Sequence, residues 1–94
     1  MYFDIIKAEY ISDYKLKLVF EDKKSGVVDF VKYLKAGKVF SRFSDINFFR
    51  NFYIEDGIIS WGEGEIDIAP ETLYLMATGL NYIKWDIGEL TEIV

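Results

Sequence analysis

The sequence predicts an α+β domain of two layers: a mostly antiparallel β-sheet with one or two helices packed on one face. Three observations predict it. Apolar and polar residues alternate with a period of two in Ile5–Ser12 and again in Tyr14–Glu21. An Asp-Gly pair sits between two apolar runs. A Pro-Glu pair opens a stretch whose apolar residues recur at helical spacing.

Ile6, Ala8 and Tyr10 alternate with Lys7 and Glu9. Tyr14, Leu16, Leu18 and Phe20 alternate with Lys15, Lys17 and Glu21. That period puts each apolar set on one face of a half-buried strand. With Ser12-Asp13 as a short turn, the two runs predict an antiparallel hairpin with one solvated face. The polar run from Glu21 to Gly26 is the next turn, with Gly26 available for a positive φ. Val27–Phe30 reads as a third strand, Val28 and Phe30 lying opposite Asp29. Tyr33–Gly37 fits one helical turn ending at Gly37. Ser44–Asn51 predicts a short helix. Ser44 would cap it, Asp45 would face the positive end of its dipole, and Ile46 and Phe49 would turn together to the core.

Asp56-Gly57 fits a type I′ turn. A two-residue loop there pairs Glu55 with Ile58, Ile54 with Ile59 and Phe52 with Trp61, which places Phe52, Ile54, Ile59 and Trp61 on one face. Past a Trp61-Gly62-Glu63-Gly64 turn, Ile66 and Ile68 alternate with Glu65 and Asp67. Pro70 suits the first position of a helix, where its missing N–H costs nothing, and Glu71 complements the dipole. Leu73, Met76, Ala77 and Leu80 form its apolar stripe; Gly79 either ends the helix or lets it run on. The organisation expected is a domain over residues 1–79 and an acidic C-terminal extension over 80–94. That extension either packs on the domain or binds a partner, with Tyr82, Trp85, Ile87 and Leu90 as candidate interface residues.

Composition limits the chemistry. A chain of 94 residues makes one domain, burying roughly 60–70% of its unfolded surface. That suffices for one core and leaves little room for a large cleft. A formal charge of −5 opposes an extended polyanion-binding surface and suits a basic protein partner better. There is no Cys and no His. Disulfides, thiolate metal sites, a Cys nucleophile and a Ser-His-Asp triad are therefore excluded. Met1-Tyr2-Phe3-Asp4 has neither the basic nor the apolar region of a signal peptide, and no apolar run is long enough to cross a bilayer. A cytoplasmic protein is expected.

Residues 58–74 carry a resemblance. Trp61, Gly64, Asp67 followed by Ile68, then Pro70-Glu71 and Leu73-Tyr74, make a pattern similar to that of the small bacterial family catalogued as domain of unknown function 2442. Asp13-Tyr14-Lys15-Leu16, Phe20-Glu21-Asp22 and Ser44-Asp45 before Phe48-Phe49 look familial too. The resemblance covers roughly residues 4–78 and leaves out the tail from Leu80. Glu63 departs from the Asn often found before the Gly, which bears only on local turn geometry. The resemblance implies a compact antiparallel α+β fold. It also implies relatives encoded beside small toxin-like proteins and read as antitoxins, and others fused to a helix-turn-helix domain. It implies no catalytic residue. The motif residues Trp61, Gly64, Asp67, Pro70, Glu71, Leu73 and Tyr74 are taken as structural.

Two clusters could carry chemistry. Alternation would put Glu63, Glu65 and Asp67 on one face of an extended segment, with Glu71 following. Such carboxylates suit Mg²⁺ or Ca²⁺. The spacing lacks a calcium-loop pattern, however, and Gly62-Glu63-Gly64 lacks the other residues of a phosphate loop. A solvated strand face is the plainer reading, with Asp67 near the free N–H groups of the helix start. A glycosidase pair of carboxylates would need a cleft. No cofactor or metal is assigned.

Lys7, Lys15, Lys17, Lys32, Lys35 and Lys38 could form a basic strip interleaved with Tyr10, Tyr14 and Tyr33, as on a single-strand-binding surface. The pattern matches no named signature, and lysines are ordinary on a solvated strand face. Direct nucleic-acid binding is not expected. The first functional reading is a non-enzymatic interaction module, an antitoxin-like partner of a small basic protein encoded nearby. The second is a nucleic-acid-associated regulatory domain. The third and weakest is a small divalent-metal-dependent enzyme. A homo-oligomer is compatible with each.

Overall fold

The computed structural model describes residues 3–79. Tyr82, Trp85, Ile87 and Leu90, with Leu80 of the apolar stripe, lie outside the described residues. The fold is α+β. Six strands form two three-stranded antiparallel sheets, β1 (Ile5–Ser12), β2 (Lys15–Phe20) and β3 (Ser25–Asp29) in the first, β4 (Tyr53–Glu55), β5 (Ile58–Trp61) and β6 (Ile66–Ile68) in the second. Two 3₁₀ helices (Phe30–Lys35 and Lys38–Ser44) and the one-turn α1 (Ile46–Arg50) link them, and α2 (Pro70–Thr78) follows β6. The strands are therefore arranged as two meanders and not as one sheet. The first meets the second at β1, where the Ile5 N–H donates to the Gly57 carbonyl at 2.9 Å. No described helix is long and apolar enough to cross a membrane.

The β2 alternation holds, with Leu16, Leu18 and Phe20 fully buried. In β1 it breaks at one point. Ile5 pairs with Phe20 and Lys7 with Val19, so Ile6 is an extra, bulged residue. The bulge changes the phase: Ile5 is buried, and Ile6, expected inward, is 56% exposed. A second register shift around Ile11 moves the turn one place on, to Asp13-Tyr14, with Asp13 at φ 48°.

Gly26 also differs from expectation. It lies within β3 opposite Leu18, and the positive φ of the preceding turn belongs to Lys23. A Cβ at Gly26 would stand 1.8 Å from the carbonyl oxygen of Ala77, so this glycine lets α2 settle onto β3. The helix after the second 3₁₀ segment starts later than Ser44. Asp45 is its cap, accepting from the Asn47 N–H at 3.0 Å, while the Ser44 hydroxyl donates to the Ser41 carbonyl. Helix α2 starts at Pro70 as expected, and of the two alternatives at Gly79 it takes the first, ending there in the left-handed region. Its N-terminus has no side-chain cap, so Asp67 does not serve as one.

Large rings fill the core between the layers. Phe30, Phe43, Phe49 and Trp61 are completely buried. Trp61 lies 4.7 Å from Phe43 and 5.8 Å from both Phe30 and Phe49, centroid to centroid. Two polar tips in this cluster reach backbone. The Trp61 indole N–H donates to the Phe49 carbonyl, and the Tyr14 hydroxyl to the Phe43 carbonyl, both at 2.7 Å. Those carbonyls belong to the second 3₁₀ helix and to α1. One indole and one phenol thus tie these helices to the two sheets.

Candidate functional site

Charge is segregated along the folded chain. Every Lys and Arg of the described residues lies between Lys7 and Arg50. From Asn51 to Gly79 every charged residue is a carboxylate: Glu55, Asp56, Glu63, Glu65, Asp67 and Glu71, all exposed. The local structure explains their exposure. Glu55 and Asp56 stand at the β4–β5 hairpin, where Asp56 (φ 54°) and Gly57 (φ 80°) form the expected turn in the expected register. Glu63 and Glu65 stand in the 62–65 loop, with Gly62 and Gly64 at positive φ. Asp67 lies on β6 opposite Ser60, pointing away from the core-facing pair Ile59 and Ile68.

The loop corrects one expectation. Glu63 and Glu65 are not on an extended segment, so they do not share a strand face with Asp67. Among the described residues no three carboxylates converge as a metal ion requires. Glu65 instead meets a cation that its sequence neighbourhood does not contain. The Arg42 guanidinium donates to it at 2.6 Å and lies 4.0 Å over the Phe48 ring. Both side chains are about half exposed, which limits the pair to about 0–1 kcal/mol.

The lysines have a different surrounding. Lys7, Lys15 and Lys17 project from the outer face of the first sheet. There Lys17 stands across from Glu9 and Lys15 across from Asp29, so the face carries mixed charge. Tyr10 and Tyr14 pack against the core on the opposite face, and Tyr33 packs on Phe30 and Phe40. The strand lysines therefore do not interleave with Tyr10 and Tyr14 on one surface, while Lys32 stands 5.8 Å over the Tyr33 ring.

The motif residues are dispersed in role. Trp61, Pro70, Leu73 and Tyr74 are buried, Gly64 supplies a positive φ of 81°, and Asp67 and Glu71 are exposed. Tyr74 carries one interaction the sequence did not signal. Its hydroxyl donates to the Asp22 carboxylate at 2.6 Å, across 52 residues of chain, while its ring packs on Phe3 and Phe20. This hydrogen bond, with a second from the Lys24 N–H, holds the Asp22 carboxyl below its ordinary value of 3.8. The same bond raises the Tyr74 phenol above 10.0. Neither Arg42–Glu65 nor Tyr74–Asp22 leaves a periodic trace, because each joins elements far apart in sequence.

Residues 5–79 match the family model described as Protein of unknown function (DUF2442). No curated protein and no solved structure matches the chain.

Proposed function

On the premise that this chain belongs to the DUF2442 family, whose description assigns no activity, we propose that it is a non-enzymatic interaction module. Its second sheet, in this reading, receives a basic protein. The observation that carries it is the uncompensated run of exposed carboxylates from Glu55 to Glu71, in which Arg42 is the one salt-bridge partner among the described residues. Surface carboxylates on two loops and a strand steer a cationic partner from a distance and fix its orientation on arrival. The finer form of the reading is antitoxin-like: a small basic toxin encoded nearby, covered by this face and by the extension carrying Tyr82, Trp85, Ile87 and Leu90.

The test is co-expression with a short basic protein encoded beside it, followed by co-purification and titration. Affinity should fall with added salt. It should fall again when Glu63→Lys and Asp67→Lys are combined, two changes at exposed positions that leave the core intact. Trp85→Ala measures the contribution of the extension. Binding that ignores both salt and charge reversal would refute the acidic-face reading.

A further inference from the structure

The open edge of the first sheet points to a second copy of this chain. Strand β3 pairs with β2 without a register shift. The ladder is bracketed by two hydrogen bonds, the Phe20 N–H to the Lys24 carbonyl at 2.9 Å and the Phe30 N–H to the Tyr14 carbonyl at 2.8 Å. In an antiparallel pair, bonded and non-bonded positions alternate. The bonded positions are then 18/26 and 16/28, and Val19/Ser25, Lys17/Val27 and Lys15/Asp29 are non-bonded. The N–H groups of Ser25, Val27 and Asp29 therefore point away from β2, as do the carbonyls of Ser25 and Val27. None has a backbone partner beyond the sheet among the described residues. Edges of this kind are ordinarily blunted by bulges or covered. Strand β1 has two register shifts and is met by Gly57, whereas β3 has no such shift and exposes half of Val27.

We propose that two copies join antiparallel along β3, with Val27 facing Val27 on the two-fold axis. The self-complementarity of the edge selects this register. It places Val27 in a bonded pair with its copy and Ser25 in a bonded pair with Asp29 of the other chain. Each Val27 N–H donates to the opposite Val27 carbonyl, and each Asp29 N–H to the opposite Ser25 carbonyl. The Ser25 hydroxyl stands beside the opposite Asp29 carboxylate, one oxygen of which already accepts from the Val31 N–H. Registers centred on Ser25 or Asp29 leave one end of the strand unpaired, and the latter sets carboxylate against carboxylate. The acidic sheet joins at the β1 edge, so pairing through β3 is independent of the carboxylate surface proposed for a basic partner.

The experiment is light scattering on the full chain from micromolar concentration to about 1 mM, with amide exchange read by NMR. A concentration-dependent dimer is expected, with slowed exchange at Val27 and Asp29. Ser25→Lys places a cation opposite Asp29 and should tighten the dimer, while Ser25→Asp should weaken it, each roughly three- to tenfold. Val39→Lys, at a site 57% exposed and away from the edge, should change nothing. A chain monomeric throughout that range overturns the proposal. So does a dimer indifferent to the charge at position 25, or slow exchange at Val27 in a monomer, which would mean that another part of the chain covers the edge.

Discussion

The two sheets share a topology, three antiparallel strands in sequence order, and differ in what holds them. The first has strands of 8, 6 and 5 residues, and its ladder is long enough to define its own register. The second has strands of 3, 4 and 3 residues, too short to stand alone. It is held by side chains: Ile59, Trp61, Ile66 and Ile68 reach into the shared core, and the Trp61 indole fastens it to Phe49. The surfaces differ in the same sense. The first sheet carries mixed charge on its outer face, and the second carries only carboxylates. Stability supplied from beneath leaves the outside of a small sheet free to specialise in one charge.

Replacing the indole is the sharpest way to break this contrast. Trp61→Ala should cost about 3–5 kcal/mol by denaturant unfolding, from the cavity and the lost partner of the Phe49 carbonyl. Amides of β4–β6 should lose exchange protection before those of β1–β3. Equal loss in both sheets would show that they open as one unit.

Gly26→Ala attacks the other side. The new methyl meets the Ala77 carbonyl, a backbone group, so α2 must shift. A loss of about 1–3 kcal/mol is expected. The β4–β5 hairpin should keep its chemical shifts, and if it does not, α2 and the second sheet are coupled more tightly than the contacts imply.

Titration sharpens the comparison further, because Asp22 and Tyr74 join the first sheet to α2. The folded Asp22 pKa lies below 3.8, so its contribution is present above that pH and is lost as pH falls through the folded value. The folded Tyr74 pKa lies above 10.0, so its contribution is present below that pH and is lost as pH rises through the folded value. Tyr74→Phe should flatten the melting-temperature profile at both extremes and leave its shape between them unchanged. The smallest effect belongs to Arg42→Ala, which removes an exposed ion pair and should change stability by about 0–1 kcal/mol. It should strengthen binding of a basic partner by unmasking Glu65.

Much of the fold was legible in local pattern. The Asp56-Gly57 turn carried its register with it, because a two-residue loop leaves one way to pair the flanking residues. Pro70 marked the start of α2, and the β2 alternation named its buried face. The misreadings share one cause. Ile6 follows the alternation and is exposed, because a bulge depends on how β1 meets β2. Gly26 closes a polar run and looks like a turn residue, but the helix it accommodates lies some fifty positions on. The expected turn at Trp61–Gly64 extends through Glu65, because Gly62 and Gly64 at positive φ carry the chain round, and the extended segment that would align Glu63 and Glu65 with Asp67 starts only at Ile66.

By itself, the amino-acid sequence determined the alternations, the turns, the start of α2 and the uneven distribution of charge along the chain, since each follows from neighbours a few positions apart. Tertiary structure alone decided that there are two sheets, that Arg42 meets Glu65, that Tyr74 meets Asp22, and that the backbone of Ser25, Val27 and Asp29 faces outward. Each of these depends on the register between distant elements, which packing sets and local periodicity does not encode.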